Sequence, residues 1–315
     1  MPKKDDRTPS AGAMQPEVEE LNRLATFDQH RGLLFSIAYR MLSSVADAED
    51  VLQETFIRWQ QSSNDNVQSP KAFLVTITTR LCLTHLQSAR VRREEYVGQW
   101  LPEPIVTGPE GDPAAFLQID ESISMAFLVL LERLTPIERA VFLLHEVFDF
   151  SYSEIAATLE QSEANCRQVL RRARLHVGEV RRRFKASARE QNDLLDRFLQ
   201  ATRNGDISGL MALLSSDVVL HSDGGGKSIA VPNRIHGSDR VARAVLGGLR
   251  KQVPKNLVSR MAQINGQPGI VSYLQGKIYS VITLDVEAGH IRAIFVVTNP
   301  EKLRHLSGLA VAPGL

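Results

Sequence analysis

Four titratable side chains, His221, Asp223, His236 and Asp239, lie within nineteen positions and are of the types that shuttle protons near neutral pH. Their spacing matches neither a nucleophile–base–orienter arrangement nor a set of metal ligands, so the sequence alone assigns them no reaction. The run Asp223-Gly224-Gly225-Gly226-Lys227-Ser228 invites a phosphate-binding loop. However, the first glycine of that pattern falls on His221, and Ser228-Ile229-Ala230-Val231-Pro232 does not start a helix. Three glycines after a strand instead predict a tight loop that lets another backbone approach closely, with Asp223 and Lys227 placed to bond to another domain. Cys82 and Cys166 have no cysteine or histidine at zinc spacing and read as packed small hydrophobes. No metal and no cofactor is called for, and the chain does not read as an enzyme.

The other chemistry in the sequence is electrostatic. The formal net charge is only +1, yet the charges are segregated. Arg167 to Arg189 carries nine basic residues and one acid, and Lys71 to Arg93 carries five basic residues and none. Asp47 to Glu54 carries four acids and no base, and Gln99 to Ala126 five acids and no base. A basic cluster becomes a phosphate footprint only when a motif places it. Here one does. Ser151 and Glu154 form a capping box that opens a short helix with Ile155, Ala156 and Leu159 inward, and Ser162 caps a second helix after a tight turn. Cys166, Val169, Leu170 and Ala173 line the inner face of that second helix, while Arg167, Gln168, Arg171, Arg172 and Arg174 fall outside it. Two such helices form a helix-turn-helix, whose second helix enters the major groove and can read base edges through Arg and Gln.

The elements that must carry these residues follow from periodicity. The 315 residues, 43% hydrophobic and 23% charged, suit a multidomain globular chain rather than a fibrous or disordered one. No apolar run is long enough to span a membrane, the start has no secretory signal, and two cysteines fit a reducing cytoplasm. Apolar residues at spacings of three and four predict helices from Leu21 to Arg93, broken by a loop over Ser62–Pro70, and again from Pro113 to Ser187. Four prolines and two glycines make Trp100–Pro113 a linker. After Glu190 come one or two helices to Leu214, a helix over Ser238–Lys251, and β-branched runs at Val218–Leu220, Ile270–Leu274, Ile278–Leu284 and Ile291–Val297. The expected organisation is a disordered tail over 1–20, a helical domain over 21–96, a linker over 97–120, a second helical domain over 121–187 and an α+β domain over 190–315.

Asp47-Ala48-Glu49-Asp50-Val51-Leu52-Gln53-Glu54-Thr55-Phe56 resembles the core helix of domain two in the sigma-70 family of transcription initiation factors. The resemblance implies that Asp47, Glu49, Asp50, Gln53 and Phe56 dock on the clamp helices of the largest subunit of core RNA polymerase. It implies further that Thr76, Thr79, Arg80, Gln87 and Arg90 on the next helix read the −10 promoter element, with the loop Ser62–Ser69 at the place where a melted base is trapped. The helix-turn-helix then resembles domain four, which reads the −35 element and contacts the polymerase flap. Order and spacing match the small extracytoplasmic-function class.

Three further motifs look like signatures of one subgroup, which fuses a SnoaL-like (NTF2-like) cone domain to the sigma core: Trp100-Leu101-Pro102-Glu103-Pro104, the Asp223–Lys227 loop, and Asn299-Pro300-Glu301-Lys302-Leu303. The last departs from the subgroup's usual pattern, which carries Asp where this chain has Glu301. The resemblance implies that the linker motif docks on the fused domain, that the terminal motif helps position it, and that it regulates the sigma core in cis. The expected partners are core polymerase and promoter DNA, with no membrane, and the free chain is expected to be monomeric. A small-molecule ligand in the C-terminal domain stays open. So do two other readings: a ligand-sensing DNA-binding regulator that never touches polymerase, and a small-molecule enzyme with a DNA-binding appendage.

Overall fold

The computed structural model describes residues 14–62, 67–94, 96–107, 123–178, 187–251, 254 and 256–308. Of the expected disordered tail over 1–20, residues 14–20 are instead helical; the residues before Met14, the centre of the Ser62–Ser69 loop, most of the acidic linker and the basic residues Arg181, Arg182, Arg183 and Lys185 lie outside the described residues.

Three helices form the first unit: α1 (Met14–Leu42), α2 (Val45–Gln61) and α3 (Pro70–Glu94). Phe35, Ala38, Tyr39 and Leu42 of α1 are buried against Ala48, Val51, Leu52 and Trp59 of α2, at the spacings the sequence predicts. The second unit contains α4 (Met125–Leu131), α5 (Pro136–Glu146), α6 (Tyr152–Leu159) and α7 (Glu163–Val177). Its helix-turn-helix is set by local chemistry. Ser151 and Glu154 form the reciprocal capping box of α6, Glu160 ends that helix in the left-handed conformation at φ 53°, and Ser162 accepts from the Asn165 amide to start α7.

The third unit is α+β. Helices α8 (Ala188–Asn204), α9 (Ile207–Leu213) and α10 (Ser238–Lys251) accompany strands β1 (Leu214–Asp223), β2 (Ile235–His236), β3 (Val258–Ile264), β4 (Gln267–Leu274), β5 (Lys277–Glu287) and β6 (His290–Val297). They form one sheet of order β2-β1-β6-β5-β4-β3, antiparallel except where β1 runs parallel to β6. Strand β3 was not foreseen: it is an edge strand with polar Ser259, Arg260 and Gln263 among its apolar residues, and so has no β-branched run.

The sheet is apolar on both faces. Ile270, Ile294 and Leu284 pack with the domain's own helices, while Val271, Val281, Phe295 and Val297 pack with Leu101 of the linker and Met125 of α4. Alternation of period two thus gives one face to the domain itself and the other to the rest of the chain. The third unit therefore does not hang from a free tether. Cys82 and Cys166 are buried, and burial pushes both thiols up, which makes them unreactive. Among the described residues no helix is long and apolar enough to cross a membrane.

Candidate functional site: a three-way junction and two outward helices

The linker motif is an extended strap clamped on both sides. Its anchor is Asp223 at the end of β1, fully buried. One carboxylate oxygen accepts from the Tyr96 hydroxyl (2.5 Å) and the Gly225 amide (3.1 Å); the other accepts from the Leu101 amide and the Lys302 ammonium, both at 2.8 Å. Lys302 also donates to the Leu101 carbonyl and sits 3.9 Å from the Trp100 ring centroid. A buried ion pair is tolerable only when its other hydrogen-bonding capacity is met, and here it is. Burial, and then the adjacent Asp223 carboxylate, hold the Tyr96 phenol protonated well above its ordinary range.

The glycine run serves close approach. Gly225 has φ +59°, and a Cβ there would lie 2.3 Å from the Asn299 amide nitrogen and 3.1 Å from the Tyr96 hydroxyl. Asn299 in turn donates to that hydroxyl at 2.7 Å. Of the three motifs, Asp223 and Lys302 bond to Leu101 of the linker, Gly226 faces Val97, Gly225 and Asn299 meet Tyr96 just before it, and Leu303 packs in the same apolar cluster as Leu101. Lys227 meets Glu301 within its own domain, on the surface, where such a pair adds little. Pro300 follows Asn299 at the turn after β6.

From Leu101 the strap, kept extended by Pro102 and Pro104, runs to the first unit. The Glu103 carboxylate accepts from the Val45 amide (2.7 Å) and the Ser44 hydroxyl (3.2 Å), so it caps α2 where the helix dipole favours an anion. Burial pushes the Glu103 carboxyl up, and the Val45 and Ser44 bonds oppose this. His305 bonds to the Pro104 carbonyl at 2.8 Å from the terminal 3-10 turn, Arg304–Gly308.

The centre of the junction is a residue of the turn between β3 and β4. Asn265, buried and at φ 52° in the β3–β4 turn, accepts from the Ile105 amide (3.0 Å) and donates to the Tyr39 hydroxyl (2.7 Å) and the Ile123 carbonyl (2.8 Å). One amide side chain thereby ties α1, the strap, the entry to α4 and the sheet. The signal was the Asn265-Gly266 pair, a known hairpin turn; its side-chain partners were invisible.

The expected polymerase face of α2 is open. Asp50 and Gln53 are exposed, Asp47 and Glu49 half-buried, Glu49 reaches Arg31 at 3.4 Å, and Phe56 packs on Phe27 with ring centroids 4.9 Å apart. On α7, Arg167, Gln168, Arg171, Arg172 and Arg174 all point outward. Arg167 pairs with Glu163 (2.6 Å) and Arg174 with Glu146. The α3 residues fare differently. Gln87 is exposed, and Arg90 lies on α3 with its side chain outside the described residues. Thr79 is fully buried, a correction to the expected polar face: it lies one turn from Val75 and Cys82, on the stripe that faces the core. Thr76 and Arg80 are engaged by the second unit. Thr76 meets the Thr158 hydroxyl at 3.3 Å; Arg80 donates to the Thr158 carbonyl (2.9 Å) and pairs with Glu160 (2.9 Å). Arg139 of α5, buried, donates to the Met41 carbonyl at 2.7 Å and completes the contact between the two helical units.

The acid–base candidates do not converge. Asp223 is the strap anchor, His236 and Asp239 are exposed, and Asp239 pairs with Arg243. His221 stacks on Phe295, and burial, then the nearby Arg234, lower its pKa to about 4. Because the folded state resists protonation here, stability gained above pH 6.5 is lost as pH falls from about 6.5 toward about 4. Melting temperatures across that window are expected to fall with acidity, and His221→Gln is expected to flatten the slope.

Two family models match the chain: Sigma-70 region 2 over residues 26–92 and Sigma-70, region 4 over residues 124–177. The chain is 35% identical over 290 residues to the ECF RNA polymerase sigma factor SigJ of Mycobacterium tuberculosis, covering 89% of this chain and 92% of that protein. It is 32% identical over 286 residues to the probable ECF RNA polymerase sigma factor SigI of the same organism, covering 89% and 94%. The crystal structure of Mycobacterium tuberculosis SigJ superposes with a TM-score of 0.75 at 33% identity, covering 91% of this chain and 99% of that one.

Proposed function

Starting from the extracytoplasmic-function sigma factors of RNA polymerase, the family to which this chain belongs, we propose that the protein directs core polymerase to its promoters and that its fused SnoaL-like domain holds the free factor in a closed state. The observation that carries this reading is the asymmetry of the exposed surfaces. The acidic face of α2 and the arginine face of α7 are open, while Thr76 and Arg80 of α3 are engaged by α6 and its following turn. The free chain is thus ready to meet polymerase and unready to read a −10 element.

In this reading Asp47, Glu49, Asp50 and Gln53 face the clamp helices, with Phe56 supporting them. Gln87, Arg90 and, once released, Thr76 and Arg80 contact −10 DNA, while Thr79 serves the helix core. Arg167, Gln168, Arg171, Arg172 and Arg174 contact the −35 element, arginines on phosphates and base edges and Gln168 on a base edge. The fused domain acts through the strap, because Glu103 caps α2 at one point while Asp223 and Lys302 grip Leu101 at another. No reaction is assigned to the chain.

Run-off transcription with core polymerase on a matched promoter tests the reading. The full chain is expected to support initiation. Asp50→Lys, at an exposed position that leaves the fold intact, is expected to abolish polymerase binding through like-charge repulsion. A regulator that never touches polymerase would be indifferent to that substitution, and equal binding by the variant would sink the sigma-factor assignment of α2.

A further inference from the structure

Between the sheet and helices α8 and α10 lies a cavity of about 510 Å³, on the sheet face opposite the strap. Its wall is aliphatic, from residues such as Leu220, Ile270, Ile282 and Ile294. Across this wall runs a band of hydroxyls. Ser259 and Ser272 are register partners with oxygens 2.9 Å apart, Ser272 pairs in turn with Ser280, and Thr298 continues the line. Among the described lining residues there is no carboxylate and no histidine, and the one charge, Arg203, is exposed. A concave, mainly apolar pocket of this size with a few convergent polar groups suits a drug-sized ligand. The absence of an acid–base pair speaks for binding rather than turnover.

The cavity is wired to the strap. Ile229, Ala230 and Val231 form part of its lining. The Val231 carbonyl accepts from the Gln99 side chain at 3.1 Å, and the Val231 amide donates to Ser222, the neighbour of Asp223. The Thr298 hydroxyl reaches the carbonyls of Ile229 (2.9 Å) and Asp223 (3.2 Å). One loop therefore touches the cavity on one side and the linker on the other.

We propose that this cavity binds a neutral, mainly apolar small molecule bearing hydroxyl or carbonyl groups, and that its occupation reinforces the closed state of the factor. The direction follows from linkage: a ligand fitted to the cavity as formed here prefers the closed chain and shifts the population toward it. The coupling rests on the closed-state reading above, whereas binding itself does not.

The test uses the full chain and N-phenyl-1-naphthylamine, a neutral apolar fluorophore. Saturable one-to-one binding is expected, together with slower amide exchange over Gln99–Thr107 when the probe is bound. Ala244→Trp on α10 and Ser272→Trp on β4 fill the cavity and are expected to weaken binding at least tenfold. Arg240→Trp, outside the lining, is expected to leave it unchanged. Melting curves report whether each variant folds, and either filling variant suffices. Absence of saturable binding, or binding unaffected by a folded filling variant, overturns the site. Binding at the site with unchanged exchange in the strap overturns the coupling alone. Failure of the closed-state reading would show separately, as identical strap exchange in the free and polymerase-bound chain.

Discussion

Replacing Asp223 by alanine is expected to cost the folded chain about 3–5 kcal/mol, the scale for removing one partner of a buried ion pair. The carboxylate is fully buried and receives four donors: the Tyr96 hydroxyl, the Gly225 and Leu101 amides and the Lys302 ammonium. Without it, the Lys302 ammonium keeps the Leu101 carbonyl and the Trp100 ring but loses the carboxylate 2.8 Å away. The loss should concentrate in the strap, since the Leu101 amide belongs to the linker, the Lys302 ammonium to the segment after β6, and Tyr96 lies one residue before the linker. Thermal melting should shift down, and amide protection over Leu101–Thr107 should drop more than that of α1 or α2. A double substitution, Asp223→Ala with Lys302→Met, should recover much of the loss, because removing both charges from a buried site is far cheaper than stranding one. A single variant within about 1 kcal/mol of the parent, with strap protection intact, would contradict the anchoring role.

The second large effect is expected at Asn265. Substitution by alanine leaves the Ile105 amide and the Ile123 carbonyl without this partner, while the Tyr39 hydroxyl loses one donor and keeps its own bond to the Glu103 carbonyl (2.7 Å). Each buried group deprived of a bond costs about 1–3 kcal/mol. The turn conformation adds about 1 kcal/mol, because Asn tolerates φ 52° and alanine does not. The total belongs with the largest single-residue effects, about 4–5 kcal/mol. Asn265→Gly separates the two contributions: it relieves the backbone while losing the same side-chain bonds, so it should be less damaging than alanine by about 1 kcal/mol yet still severe. Chemical denaturation of the two variants measures the difference. Equal and small losses would mean that the junction is held elsewhere.

What could be read from the sequence divides along physical lines. The helix-turn-helix was legible because everything that builds it is local: two serine caps, a Glu three residues on, and an apolar stripe at helical spacing. Helix α10 begins and ends where the sequence predicts it, and the three motifs that converge on the strap were identifiable as a set. Asn265 was not, since its side-chain partners are 142, 160 and 226 residues away in sequence, and no periodicity reports such distances. Thr79 was misplaced because a threonine scores as polar, whereas its position between Val75 and Cys82 turns it to the core. Tyr96, just before the linker motif, went unnoticed for a similar reason: its bond to Asp223 exists only once the sheet is assembled. The closure of α3 onto α6 was equally hidden, because Arg80 and Glu160 look like ordinary surface charges until the two units meet.

The free factor is expected to hold its two helical units together, and polymerase to separate them. The most direct measurement is a distance between those units in solution. Nitroxides can be placed through Ser88→Cys on α3 and Leu175→Cys on α7, both exposed, in a background carrying Cys82→Ala and Cys166→Ala. Pulsed electron–electron resonance on the free chain should give one narrow distance distribution. Addition of core polymerase should move it to a distinct, longer one, and Asp223→Ala should broaden the distribution of the free chain. The same narrow distribution with and without polymerase would contradict the account.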